Sequence, residues 1–441
     1  MFDEATVSES PAAPSSPSTT PQNGWDLAVV GLGYVGLPLA QAAASAGLRV
    51  VGFDLIQSLV DELNEGRSHV DDLSDADIAT MLGQGFTATT DETAISRSSA
   101  AVICVPTPLD DDHRPDLGAV TGSGRTIARN LRPGMLVVLE STTWPGTTEE
   151  VLRPILEESG LIAGQDFNLA YSPERIDPGN PTYGFHNTPK VVGGYTRDCR
   201  DRAAAFYGRM VEHVVPVNGL AEAEMAKLLE NTYRHVNIAL VNEMAMFCDE
   251  LDIDLWEAID AAATKPFGFQ AFRPGPGVGG HCIPVDPNYL SHRVRRLGYP
   301  FRFVELAQEV NERMPAYVVT RITKMLNNRS LAVNGASVLL LGVTYKADIA
   351  DERETPALPL ARRLRTLGAN LRYADPYVTG WKVNGLPVTR VLDLGQAIAE
   401  ADITVLLQPH AAFDLAEIQN KAQLVLDTRG VLVDSDTVER L

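Results

Sequence analysis

Two α/β domains, each a parallel sheet covered by helices, flanking a helical segment built on one long helix: this is the architecture that the 441-residue sequence predicts. Three observations predict it. From Trp25 onward short apolar runs alternate with helical stretches, the pattern of strands buried on both faces between crossover helices. Near Leu220 the strands stop, and a helical periodicity then runs for about thirty residues. From Ser337 the strand–helix alternation begins again. A chain of this length exceeds one core and divides into domains of ~100–200 residues. The divisions fall at a tail (1–24), a first α/β domain (25–219), a helical domain (220–330) and a second α/β domain (331–441).

The tail is rich in Ser, Pro, Thr and Ala and nearly free of large apolar groups, so it cannot bury enough surface to order itself and reads as disordered. Buried strands of the first domain fall at 26–31, 49–54, 100–105, 135–140 and 168–171. Over 220–250, Met225, Leu228, Leu229, Val236, Leu240 and Met244 recur at helical spacing. A helix this long crosses a whole domain, joins two lobes and offers a face to a second subunit. The second α/β domain has strands at 337–343, 370–375, 403–407 and 424–427. In both domains a strand, loop and helix lead to a second strand ending in Asp (Asp54, Asp375), which reads as a pseudo-repeat with divergent ligand loops. The formal charge of −20 repels nucleic acid and anionic membranes and favours small molecules or other protein chains as partners. No run of about 18 apolar residues and no basic-then-apolar leader is present, so a cytoplasmic protein is expected. Cys104, Cys199, Cys248 and Cys282 share no metal-ligand spacing and suggest no disulfide framework, and no metal is expected.

Gly31-Leu32-Gly33-Tyr34-Val35-Gly36 follows the first strand and opens a helix. Its glycines serve a tight turn, close approach of a pyrophosphate and helix–sheet packing, the marks of a Rossmann dinucleotide site. The next strand ends in Asp54, eighteen residues past Gly36, placed to accept from a ribose. That carboxylate repels a 2′-phosphate and no arginine follows in Asp54-Leu55-Ile56-Gln57, so NAD is favoured over NADP. Val105-Pro106-Thr107-Pro108 and Glu140-Ser141-Thr142-Thr143-Trp144-Pro145-Gly146 each end a strand at the carboxyl edge, where Thr107, Ser141 and Thr142 can meet cofactor or water; the alternative for Pro106 and Pro108 is a strand end broken by proline. The second domain has Gly342-Val343-Thr344-Tyr345-Lys346 in place of the fingerprint, and a lysine there suits a phosphate.

Glu174, in Tyr171-Ser172-Pro173-Glu174-Arg175, lies just past a strand end and can hold or deprotonate a water; the alternative is a surface glutamate paired with Arg175. Lys227, Asn231 and Arg234, spaced by four and three, share one helix face and can converge on an oxyanionic ligand, or form an ordinary solvated face. Cys282 lies in the glycine-dense loop of 274–287, with Gly279 and Gly280 before it and Asp286 one helical turn on. A thiol presented this way beside a dinucleotide site suggests a covalent intermediate between aldehyde and acid. His281 either tunes that thiol or has no role.

The motifs at 31–36, 140–147, 172–179, 224–231, 274–287 and 342–356, in this order, resemble the UDP-glucose/GDP-mannose dehydrogenase family over about residues 25–435. The resemblance implies a Rossmann NAD-binding domain, a central helical domain and a C-terminal Rossmann-like nucleotide-sugar-binding domain. It implies a two-step, four-electron oxidation of a sugar C6 hydroxyl through a Cys282 thiohemiacetal and thioester. By motif position Lys227 stabilises oxyanions or moves the C6 proton, Asp286 and Thr142 orient water and base, Glu174 serves thioester hydrolysis, and Asn231 binds the sugar. Arg175, Arg234, Gly279 and Lys346 fall to the UDP-sugar, and Arg353 to nucleotide or cofactor. Stretches 265–269, 280–286 and 305–309 resemble the branch acting on UDP-N-acetylhexosamines, UDP-N-acetylglucosamine above all, with UDP-N-acetylmannosamine and UDP-glucose as alternatives. A homodimer through the long helix is implied as well. Rival readings are a two-electron β-hydroxyacid-type dehydrogenase, which needs no Cys282, and a silent nucleotide-binding protein, which expects a broken motif.

Overall fold

Eight strands make the N-terminal sheet: β1 (Trp25–Val30), β2 (Val50–Phe53), β3 (Thr87–Thr89), β4 (Ser98–Ile103), β5 (Leu136–Leu139), β6 (Asn168–Tyr171), β7 (Lys190–Gly194) and β8 (Val214–Pro216), in the order β3-β2-β1-β4-β5-β6-β7-β8. The structure is a computed structural model and describes residues 24–441 apart from 71, 109–114, 178–179, 181 and 281 and the side chain of Cys282. The expected disordered tail and His281 therefore lie outside the described residues.

The strands read as continuous apolar runs because both faces are covered. Leu27, Val29, Val50, Val102 and Val138 pack beneath α1 (Gly36–Ser45), with α2 (Gln57–Asn64) and α3 (Asp75–Gly83) on the same side. Ala28, Val51, Ile103, Val137 and Leu139 pack on the opposite face beneath α4 (Gly118–Asn130) and α5 (Arg153–Glu157). A further helix, α6 (Arg197–Tyr207), returns to the first face through Ala203 and Tyr207.

One expectation fails at the sheet's far edge. Among the described residues the chain between β6 and β7 carries no crossover helix, and β7 returns antiparallel to β6, pairing Ala170 with Gly194, with β8 then following β7. The sheet is mixed rather than parallel throughout. The expected strands also run one residue too far at Gly31, Asp54 and Glu140, which stay at least half-buried after the ladder has ended.

The centre is helical: α7 (Leu220–Glu250), α8 (Leu255–Ala263), α9 (Cys282–Arg295) and α10 (Arg302–Asn328). Along the inward face of α7 apolar and polar groups alternate, and Asn242 ties three elements by donating to Asn311 Oδ1 of α10 (2.9 Å) and accepting from Gly275 N (2.9 Å). Residues 282–287, expected as loop, form the first turns of α9. Pro284 is tolerated there because the first N–H groups of a helix have no intrahelical partner.

The C-terminal sheet is built from β9 (Ser337–Leu341), β10 (Asn370–Ala374), β13 (Thr389–Arg390), β14 (Ile403–Leu406), β15 (Val425–Asp427) and β16 (Val438–Arg440), in the order β13-β10-β9-β14-β15-β16, every pair parallel. A small hairpin, β11 (Lys382–Val383) with β12 (Leu386–Pro387), stands beside it, and α11 (Ala357–Thr366), α12 (Leu394–Glu400) and α13 (Leu415–Lys421) supply the cover. No helix among the described residues is long and apolar enough to cross a membrane.

Candidate active site

The carboxyl edge of the N-terminal sheet gathers most of the residues singled out from sequence. Gly31 has φ +92°, and a side chain on Gly36 would collide with the Gly31 carbonyl oxygen, so both glycines are needed for the turn from β1 into α1. Gly33 has open space where a Cβ would stand, as a bound pyrophosphate requires. Asp54 accepts from Leu32 N and Ile56 N at 3.0 Å each, which fixes its carboxylate against the glycine loop. The C-terminal domain repeats this device: Gly342 has φ +76°, and Asp375 accepts from Val343 N at 2.7 Å and Tyr377 N at 2.8 Å. Of the loop between Gly33 and Gly36, Tyr34 is exposed with the Arg353 guanidinium 4.9 Å above its ring, and Val35 precedes α1. Pro106 is exposed, Thr107 is buried and takes the Tyr289 hydroxyl on its carbonyl, and Ser141 donates to Val105 O at 2.7 Å.

Beyond that edge α7 and α9 close a buried polar cluster. The Lys227 ammonium donates to Thr142 Oγ1 at 2.5 Å, and the Asn231 amide donates to Asp286 Oδ2 at 2.6 Å. Asp286 is fully buried, and burial pushes its carboxyl up to about 6 against the pull of Lys227 and Asn231. Asp286 Oδ1 and the Tyr171 hydroxyl are buried without a hydrogen-bond partner among the described residues, so polar capacity remains here for water or ligand. Cys282, the first residue of α9, precedes Asp286 by one helical turn along the chain. Arg234 stands exposed, whereas Lys227, Asn231 and His235 are buried. That corrects the grouping read from spacing: around an ideal helix position 234 lies within about 20° of 227, and it is the packing against α7 that leaves this edge of the face open to solvent.

Sequence reading passed over the groups that hold this cluster. Glu224, one turn before Lys227, accepts from Gly146 N (2.6 Å), Thr148 N (2.9 Å) and Thr148 Oγ1 (2.7 Å), clamping α7 to the loop that carries Thr142; burial raises it to about 7. Glu174 is no surface residue paired through the Arg175 side chain. Its Oε1 accepts from Arg175 N and Ile176 N at 2.8 and 2.7 Å, and Lys190 donates to its Oε2 at 3.1 Å. The Arg175 guanidinium instead meets Glu230 at 2.7 Å and Pro189 O at 2.7 Å. A lysine directly before Val191-Val192 and a glutamate ending an apolar strand were the available signals, since charges in buried runs need each other.

Three regions of the chain match the UDP-glucose/GDP-mannose dehydrogenase family: its NAD binding domain over residues 25–211, its central domain over 221–313 and its UDP binding domain over 339–434. The chain belongs to this family. It is 37% identical over 355 residues to the UDP-N-acetyl-D-glucosamine 6-dehydrogenase of Pseudomonas aeruginosa, covering 80% of this chain and 83% of that one. It is 35% identical to the UDP-N-acetyl-D-mannosamine dehydrogenase of Yersinia pestis, covering 92% and 98%. Its fold superposes on the UDP-D-ManNAc dehydrogenase structure from Pyrococcus horikoshii with a TM-score of 0.85 at 32% identity, covering 94% and 98%.

As a member of the UDP-glucose/GDP-mannose dehydrogenase family the chain is an NAD-dependent nucleotide-sugar dehydrogenase. The residues present fit the dinucleotide, with open space at Gly33 and a carboxylate at the end of β2. Between this cofactor edge and the C-terminal domain the family's glycine-rich loop is tightly clasped. A side chain on Gly279 would come within 2.7 Å of Glu354 O and of Tyr345 Cβ, and Gly280, with φ +82°, packs on the Tyr345 ring and donates to Arg353 O at 3.0 Å. Gly279 thus meets protein where sequence reading expected substrate. Lys346 donates to Asp177 Oδ1 at 2.7 Å, and Arg353 is forked onto Asp351. Among the described residues no cluster of His, Cys, Asp and Glu could hold a metal ion.

Proposed function

We propose that this dehydrogenase oxidises the C6 hydroxyl of a UDP-N-acetylhexosamine, UDP-N-acetylglucosamine before UDP-N-acetylmannosamine, to the uronic acid through a Cys282 thiohemiacetal and thioester. The observation that carries the reading is the buried set Thr142–Lys227 and Asn231–Asp286, assembled from three elements, with Asp286 one helical turn after Cys282 in the chain. Cys282 is the first residue of a 14-residue helix, and a helix N-terminus favours the thiolate form that attacks an aldehyde. NAD, when bound, accepts a hydride from carbon at each of the two oxidations.

Lys227 is placed to hold negative charge on the C6 oxygen, first as alkoxide and then in the thiohemiacetal. Thr142 and Asp286 fix the position of Lys227 and of a water, and Asn231, whose amide nitrogen is engaged by Asp286, keeps its oxygen for a sugar hydroxyl. Glu174 takes the proton of the water that opens the thioester. Arg175 and Lys346 form the UDP-sugar side, where Lys346 exchanges Asp177 for phosphate; Arg353 and Tyr34 flank the cofactor. Alcohol, two NAD and water become carboxylate, two NADH and three protons, so electrons and atoms balance. Two things support an N-acetylhexosamine: the motif branch at 265–269, 280–286 and 305–309, and the names borne by the similar enzymes.

The test gives the purified chain NAD and, separately, UDP-N-acetylglucosamine, UDP-N-acetylmannosamine, UDP-glucose and UDP-galactose. About two NADH per sugar, fastest with UDP-N-acetylglucosamine, is expected. One NADH per sugar would demote Cys282. Turnover of UDP-glucose alone would overturn the substrate. Cys282→Ala is expected to abolish acid formation and leave NAD binding intact; loss of cofactor binding in that variant would make the cysteine structural.

A further inference from the structure

Beneath Glu174 lies a set of charges to which the reaction scheme assigns no work. Lys190, at the start of β7, has a side chain only 6% exposed, and its ammonium lies 3.1 Å from both Glu174 Oε2 and Glu140 Oε1. The rings of Phe185 and Tyr207 cover that ammonium at 5.1 and 5.3 Å. On the far side the Tyr207 hydroxyl donates to Glu140 Oε1 at 2.5 Å, and the Cys104 sulfur is 4.0 Å from Glu140 Oε2. Facing Glu174 from α7 is the charge of Lys227.

Of the two carboxylates that share this ammonium, Glu174 also has Lys227 across from it while Glu140 has Lys190 alone, so a proton held between them falls to one side. Geometry decides which. Glu174 is 12% exposed and takes two backbone N–H groups besides Lys190, whereas Glu140 is sealed. We infer that Lys190 is a positioning residue for Glu174: it keeps that carboxylate charged and fixed, while Glu140 on its other side carries the proton. The electrostatic balance agrees. Burial pushes Glu140 up despite Lys190, whereas at Glu174 burial is outweighed by Lys190 and the Ile176 N–H, leaving it below the usual carboxylate range. The two carboxylates in turn outweigh burial at Lys190, raising it to about 12.

The inference rests on Glu174 as the base of thioester hydrolysis. In that step a water O–H bond breaks, a C–O bond forms, sulfur leaves as thiolate and the proton stays on Glu174. A Glu174 already protonated cannot start it.

The experiment follows the full chain with NAD and its preferred UDP-sugar, in pre-steady-state NADH release, intact-protein mass and the pH dependence of kcat. In Lys190→Met a first burst of NADH survives and a covalent sugar–enzyme adduct accumulates. Hydrolysis slows at least tenfold at pH 7 and recovers as pH rises, the acid limb having moved up by about one to three units. Lys190→Arg keeps the wild-type limb. Because Lys190→Met strands buried charge, the double variant K190M/E140Q, which removes it, serves where the single variant fails to fold, and is expected to show the same shift. A wild-type acid limb in whichever of these folds overturns the inference, as does failure of both to fold, which would make Lys190 structural. Glu174→Gln separates the two claims: if it hydrolyses the adduct at the wild-type rate, the reading of Glu174 falls; if it traps the adduct and the Lys190 variants do not shift, only the role of Lys190 falls.

Discussion

At Asp286 the fold carries a cost that the chemistry explains. Burial lifts its carboxyl to about 6 from an ordinary 3.8, with Lys227 and Asn231 only partly opposing the lift. A carboxyl raised in the folded state stabilises the fold below its unfolded value, and that stability is lost as pH climbs through about 6. Asp286→Asn, which cannot ionise, is therefore expected to be more stable than the parent at pH 8 by about 2–3 kcal/mol and equal to it near pH 4, while losing acid formation. Thermal unfolding at both pH values checks this; an equal gain at both would mean that folding leaves the Asp286 carboxyl unshifted. Asp286 was legible because it stands four residues after Cys282 in a proline- and glycine-rich stretch. Glu140 and Lys190 were not, since fifty residues of chain separate two groups that only the β5–β6–β7 order brings together.

Among the elements, α7 and the glycine loop do the placing. Glu224 locks the start of α7 to the loop after β5, and one turn later Lys227 reaches Thr142 in that same loop. From the other side the loop before α9 is pressed onto the C-terminal domain so closely that only glycine fits at 279. Gly279→Ala is expected to shift α9 away from α7, and a displacement of about 1 Å costs roughly 100-fold in kcat. NAD affinity should hold, because the loop of Gly31–Gly36 is built on different strands. Titrating NAD against the variant decides the matter: cofactor affinity falling in step with kcat would mean a general loss of fold rather than a displaced α9. Spacing showed that a long helix was present, yet not that Arg234, within about 20° of Lys227 around it, is left open to solvent.

At the scale of the whole molecule, α7 and the Leu251 that caps it leave apolar side chains exposed on the outer face: Leu229, Tyr233, Leu240, Phe247 and Leu251, spaced by four and seven. Such a stripe is what a second copy of the helix buries, and it supports the proposed homodimer. Leu240→Glu is expected to turn the dimer into monomers in sedimentation equilibrium with the N-terminal sheet intact; a parent chain that sediments as a monomer at micromolar concentration would remove the dimer.

What the sequence by itself determined was everything that local rules carry: the strand–turn–helix around Gly31–Gly36, the carboxylate of Asp54 just past β2, the length of α7, the second α/β unit with its own Asp375, and the position of Cys282. Each follows from periodicity or from a backbone shape that few residues can adopt. Tertiary structure alone decided the antiparallel turn at β7, the sharing of Lys190 by two glutamates, the exposure of Arg234 and the clasp on Gly279. Those depend on pairings between distant segments, and the free energy of such a pairing lies in burial and charge balance that no single stretch of chain contains.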